Sequence, residues 1–341
     1  MPVTSRYITV HAYIPDRAPT AQDFTMETRA VPEPREGQVL IEPVTFSVDP
    51  STRNQLTGRP YFLPQVPLGA PISGPALGRI VASRHPDHHE ADLVTGLMQW
   101  GDHSLWQEGD PGDFLKGLTT VDETLDKPTH MLGVYGIAGL TAYYGITQVA
   151  RLQPGETIVV SSAAGAVGAL AGQIAKIHGA RVIGLTSSRA KRDLLTGHLG
   201  FDHALDYRAN DFADRLRTLL PGGPDVYFDN VGGDLSQTVM SQMRRPARVV
   251  ECGQIATYND PDAAWKVNIA PIHINGLRFE GYTPLLFAHL DTQARRQLRH
   301  WVDTGQLDPM ETELEGLDRL PHALSRLFTG INTGKILVTN G

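Results

Sequence analysis

A single cysteine, Cys252, leaves no second thiol for an intrachain disulfide and none for a cysteine-rich zinc site. Apolar runs long enough to span a bilayer are also missing. The first residues, "MPVTSRYITVHAYIP", lack a basic region followed by an apolar core, so no secretory signal is expected. Together these absences make the cytoplasm the expected location. No block of like charge is long enough for a nucleic-acid or anionic-membrane surface. The formal net charge is only −7 over 341 residues, of which 20% are charged and 41% hydrophobic. That is the composition of a globular protein, and the length suggests two domains.

What is present changes character along the chain. Up to about residue 127, proline, glycine and short alternating segments dominate, and "RYITVHAYI", "QVLIEPVTFSV" and "ALGRIVASR" read as strands. From about residue 130, "HMLGVYGIAGLTAYYGITQVA" has helical apolar spacing. After it, short buried strands ("TIVVSS", "RVIGLTSS", "HALDY", "DVYFDNVGG", "ARVVECG") alternate with helical segments. Such alternation predicts an α/β domain with a doubly wound parallel sheet. The final "GKILVTNG" reads as a strand that could return to the first half.

The stretch "SSAAGAVGALAG" follows the first of these strands and opens a helix. A turn of small residues there sets helix N–H groups and the positive helix end against a pyrophosphate. Gly165 and Gly168 permit the tight turn, and alanines keep its surface low. The competing reading is a small-residue packing site, which the strand-turn-helix setting disfavours. A second absence then selects between dinucleotides. NAD sites offer an acid about 20 residues further on, for the ribose hydroxyls. Here "GLTSSRAKR" has none and supplies Thr186, Ser187, Ser188, Arg189, Lys191 and Arg192 instead. Hydroxyls and cations suit a 2′-phosphate, so NADPH is the expected cofactor. Basic charge at a helix start opposes its dipole, which favours a functional explanation over a solvated face.

With these residues, the chain resembles the zinc-independent medium-chain dehydrogenase/reductase superfamily. Within it, the chain is similar to the leukotriene B4 dehydrogenase, prostaglandin reductase and curcumin reductase family. The segments that carry the resemblance run in order along the chain: "SVDPSTR", "GIAGLTAYYG", "AAGAVGALAGQIAKI", "LGFDHALDY", "FDNVGG", "CGQIATYN" and "GINTGKI". The resemblance implies a GroES-like β domain over 1–127, a Rossmann domain over 128–299, and a return to the first domain over 300–341. It implies hydride transfer from NADPH to an activated C=C bond, no metal, and a homodimer. By position, Gly165, Ala166, Val167 and Gly168 would form the pyrophosphate turn. Lys191, Tyr207 and Ser187 would hold the 2′-phosphate end. Asn230 and the segment Cys252, Gly253, Ile255 to Tyr258 would line the nicotinamide, with Tyr282, Thr283 and Asn332 completing the site.

Departures from the family pattern fall on the substrate side. Ser51 and Thr52 stand where Tyr-Met is usual, Ala138 where proline is, and His103 where tyrosine is. Ser51, Tyr61, Trp100 and His103 are the candidate pocket residues; for the aromatic ones core packing is the alternative. Tyr258 is the side-chain candidate for orienting substrate or donating a proton; stacking on the nicotinamide or packing in the cleft is the alternative. Cys252 ends an apolar strand, so a structural or cofactor-contact role is favoured over a nucleophilic one. "HPDHHE" (85–90) reads as a solvated turn, lacking helical His spacing. An ene reductase is therefore expected. Reductive cyclisation in a natural-product pathway, an NADPH-binding protein without activity and a zinc alcohol dehydrogenase are the alternatives.

Overall fold

The computed structural model describes residues 4–59, 64–109, 117–122, 124–260 and 268–341. The strands are β1 (Thr4–Val10), β2 (Phe24–Ala30), β3 (Gln38–Val48), β4 (Ser73–Ser83), β5 (Leu93–Gln99), β6 (Ser104–Gln107) and β7 (Thr119–Thr120). They continue with β8 (Thr157–Val160), β9 (Arg181–Thr186), β10 (His203–Asp206), β11 (Val226–Asp229), β12 (Ala247–Glu251), β13 (Leu277–Gly281), β14 (Glu311–Glu315) and β15 (Lys335–Thr339). The helices are α1 (Ile137–Tyr144), α2 (Ala166–Ile177), α3 (Arg189–Gly197), α4 (Phe212–Leu219), α5 (Gly233–Met240), α6 (Ala270–Asn275), α7 (Asp291–Asp303) and α8 (Leu320–Thr329). The chain divides into two compact units, Met1–Leu132 with Glu311–Gly341, and Gly133–Met310.

The first unit is a GroES-like β domain. Its main sheet has the order β14-β15-β3-β4-β5-β7, with β6 also on β3, and β1 and β2 form a separate antiparallel pair. The long strand β3 carries the unit: it pairs with β4 along most of its length, with β6 through its first residues and with β15 through its last. Pro43 inside β3 has no N–H to give the ladder, and the β3–β4 register shifts there, between Pro43 and Thr45. Val39, Ile41, Phe46, Met98, Trp100, Ile336 and Val338 fill the core beneath.

The second unit is a Rossmann sheet. All six strands run parallel in the order β10-β9-β8-β11-β12-β13. The order reverses between β8 and β11, and ligands bind such sheets outside the carboxyl ends of the strands at that point. Gly172 of α2 and Gly184 of β9 allow close packing: a Cβ on Gly184 would lie 2.6 Å from Leu195 Cδ1 and 3.0 Å from a Phe201 ring carbon.

The stretch 130–150 is not one helix. A 3-10 turn (Pro128–Leu132) comes first, α1 starts only after Gly136, and Gly145–Ala150 winds as a π-turn that Arg151 ends at φ 50°. Ala138 sits in the first turn of α1, where a proline's missing N–H would cost no helical bond, so the departure there is structurally neutral. Strand β13 has no counterpart in the sequence reading. Its Arg278 and Glu280 pair with each other at 2.7 Å, and these charges interrupt the apolar run.

Candidate cofactor site

The site in the Rossmann unit starts where β8 ends. Ser161 is fully buried, and Ser162 adopts φ 49°, a conformation few non-glycine residues take. That twist turns the chain so that Gly165 caps α2 and its N–H reaches Ser162 O at 2.9 Å. A Cβ on Gly168 would lie 2.9 Å from the carbonyl carbon of Ser162 and 3.0 Å from Ala163 Cα, so only glycine fits. The first N–H groups of a helix have no partner within it. Ala166, Val167 and Gly168 supply such groups, and the first turn of α2 holds no acid to compete for them. The arrangement suits a pyrophosphate.

At the end of β9, Ser188 caps α3, its Oγ accepting the Lys191 N–H at 3.2 Å. This fixes Lys191 on the first turn, beside the half-buried Ser187. Burial and the neighbouring Arg208 push the Lys191 ammonium below its ordinary value. Two cations held close together favour an anion between them. Arg208 itself stands 5.7 Å from the centre of the Tyr207 ring. Arg192, by contrast, is bound by Asp206 at 2.7 Å. The structure thus adds Arg208 to the candidates Ser187, Lys191 and Tyr207. Its signal was the arginine directly after "HALDY", in line with the acid-free "TSSRAKR" one strand away.

On the other side of the switch point, Asn230 joins β11 to β8. Its Nδ2 donates to Ser161 O at 2.7 Å, and its N–H to Ser161 Oγ at 2.8 Å. The segment after β12 folds back on that joint. Cys252 and Gly253 N–H donate to Asp229 O at 2.8 and 3.1 Å, and Ile255 N–H to Asn230 O at 3.5 Å. The Tyr258 hydroxyl lies 3.4 Å from where a Gly253 Cβ would stand, so Asn230, Gly253 and Tyr258 form one group. Burial pushes the Cys252 thiol up to about 12, which keeps it protonated and unsuited to nucleophilic work. The Tyr282 hydroxyl donates to Thr141 O at 2.5 Å and meets the Cys252 thiol; burial raises its pKa well above that of a free phenol. Thr283 caps the 3-10 turn after it, accepting the Leu285 N–H at 3.4 Å.

The remaining candidates belong to the first unit. Ser51 is half-buried in the 3-10 turn Pro50–Leu56. His103 is half-buried, its N–H donating to Ser5 Oγ at 3.0 Å and its Nδ1 buried without a partner among the described residues. Asn332 lies in the turn between α8 and β15, flanked by Gly330 at φ 73° and Gly334 at φ 62°. Trp100 requires a correction: it is 0% exposed and packed in the core, so it walls no pocket. The aromatic bulk of an indole below a sheet is more use to packing than to a ligand, and its spacing alone could not show this. Tyr61 lies outside the described residues. Among the described residues no group of three or more His, Cys, Asp and Glu is placed to hold a metal ion.

Residues 7–112 match the family described as the N-terminal domain of oxidoreductase, and residues 166–289 the one described as zinc-binding dehydrogenase. The NADPH-dependent curcumin reductase of Escherichia coli (strain K12) is 33% identical over 331 residues, 95% of this chain and 94% of that protein. Prostaglandin reductase 1 of Oryctolagus cuniculus is 35% identical over 325 residues, 93% of this chain and 88% of that protein. Among solved structures, CurA from Vibrio vulnificus in complex with NADPH superposes with a TM-score of 0.90 at 29% identity, covering 98% of this chain and 99% of that one. The chain therefore belongs to the zinc-independent medium-chain dehydrogenase/reductase family and is an oxidoreductase of its curcumin and prostaglandin reductase branch.

Proposed function

We propose that this protein is an NADPH-dependent ene reductase that delivers hydride to the C=C bond of an α,β-unsaturated carbonyl compound. The observation that carries the cofactor reading is the pairing of a glycine-limited turn at the switch point with the Lys191–Arg208 cluster, where an acid would otherwise bind ribose hydroxyls. The relatives named for NADPH and for curcumin or prostaglandin reduction support it. NADPH would supply the hydride. Gly165 to Gly168 would hold the pyrophosphate, and Ser187, Lys191, Tyr207 and Arg208 the 2′-phosphate. Asn230, Cys252, Gly253, Ile255, Tyr282, Thr283 and Asn332 would frame the nicotinamide.

Hydride addition at the β-carbon moves an electron pair onto the carbonyl oxygen, and a proton then enters at the α-carbon. Donors aimed at that oxygen stabilise the developing enolate. Tyr258 is the side chain we assign to orient the substrate or give the proton, and Ser51 and His103 are the residues we assign to substrate choice. An NADPH-oxidation screen over enones of graded size, with product structures, tests the reading. Products that gain two hydrogens at the former C=C bond support it. A new C–C bond in the product would instead mark reductive cyclisation, with the enolate attacking a second electrophile in the same molecule.

We also propose a cytoplasmic homodimer. The edge strand β13 is flanked by Ile274 and Leu286, 58% and 63% exposed, and light scattering on the purified protein tests the association.

A further inference from the structure

Glu251 is the last residue of β12, in register with Asp229 of β11 on one side and Gly281 of β13 on the other. Paired residues of neighbouring strands share a sheet face, so the two carboxyl groups lie on the same side. Asp229 is fully buried. Its carboxylate accepts from Ser161 Oγ at 3.1 Å, the Tyr227 hydroxyl at 2.9 Å, the N–H groups of Val231 and Gly232 at 2.9 and 3.1 Å, and Ser236 Oγ. Five donors therefore converge on one carboxyl group. The same residue's carbonyl receives the Cys252 and Gly253 N–H groups. Asp229 thus fastens both chain segments assigned to the nicotinamide: the turn Asn230–Gly232 and the start of Cys252–Tyr258.

Glu251 lies against this fastening with little to balance a charge. It meets the Gln254 side chain, and its Oε2 is buried with no hydrogen-bond partner among the described residues. Opposite it on β13, Gly281 brings no side chain. Glu280 alternates to the other face and pairs with Arg278. The π-turn Gly145–Ala150 packed on β12 carries no charged residue, and Asp234 on α5 is exposed. Burial and the Asp229 charge raise the Glu251 carboxyl to about 8.

We propose that Glu251 works as a neutral carboxylic acid, a positioning residue that leaves Asp229 free to hold the nicotinamide wall and whose ionisation loosens that wall. The inference rests on the cofactor reading above. Glu251 acts through Asp229 and touches no reacting atom.

The test compares wild type with Glu251→Gln, which keeps the shape and the neutral state. KM for NADPH and kcat are measured with an accepted enone from pH 6 to 9.5, alongside direct NADPH titration. In the wild type, KM for NADPH rises above pH 8 by about tenfold per pH unit while kcat changes little. In Glu251→Gln the rise is absent and the neutral-pH KM is kept. Parallel profiles in the two proteins, or a flat wild-type profile, overturn the proposal. A second measurement does not depend on the variant folding: infrared spectra of the wild type should show a protonated carboxyl band at pH 7 that is lost between pH 7 and 9. Its absence at pH 7 also overturns the proposal. A protein that binds no NADPH at any pH overturns the cofactor reading itself, and this inference with it.

Discussion

In the proposed site, Lys191 would carry the choice between two dinucleotides on one side chain. Its position is fixed by the Ser188 cap and its charge is crowded by Arg208. Lys191→Ala should raise the dissociation constant for NADPH about 10- to 100-fold, as expected for losing a charge-assisted contact of about 1.5–3 kcal/mol, and leave NADH binding unchanged. Arg208→Ala should do the same; fluorescence titration with both cofactors checks the pair. Equal loss for NADH would remove the 2′-phosphate assignment. Trp100→Ala should instead cost about 3–5 kcal/mol of stability in a denaturant melt, because a buried indole is being emptied from the core. Lys191 could be proposed from the sequence because an absent acid and a present cation fall in one place. Trp100 could not be placed in the same way. An aromatic residue at a strand end reads the same from either side of a sheet until the sheet is folded.

Among the elements, the β8–α2 turn admits the sharpest expectation. Gly168 has backbone atoms of Ser162 and Ala163 where a methyl group would go. Backbone cannot step aside as a side-chain tip can, so Gly168→Ala should shift the first turn of α2 and abolish measurable NADPH binding. The fold should survive, and circular dichroism with cofactor titration separates the two outcomes. Most elements of the Rossmann unit could be read from the chain because apolar strands alternate with helices at regular spacing. The exceptions have local causes. Glycines at 133, 136 and 145 break the stretch 130–150, whose apolar spacing looked continuous. An Arg278–Glu280 pair on one face of β13 hides a strand whose apolar residues, Leu277 and Phe279, lie on the other. Arg208 follows a strand as an ordinary charged residue, and only the fold sets it beside Lys191.

Across the whole molecule, the last strand binds the chain's two ends into one domain. Lys335 at the start of β15 is 3% exposed, and its ammonium meets Asp49 Oδ1 at 2.5 Å, next to the Ser51 turn. Ser47 Oγ donates to the other oxygen of the same carboxylate. Asp49→Ala would leave a cation buried without its partner, at a cost of about 3 kcal/mol. The loss should show as a lower melting temperature at pH 7, and thermal melts of the two proteins check its size.

The same strand bears on how the protein is made. Residues 133–310 form a contiguous stretch that closes its own sheet, whereas β3 must wait for β15, nearly three hundred residues downstream. On a ribosome emitting about 5–20 residues per second, β3 can pair early with β4 and β6, but the flank that takes β15 stays without its neighbour until nearly all of these residues are made. For tens of seconds the nascent chain would therefore carry the open flank of β3 as a surface that chaperones could recognise.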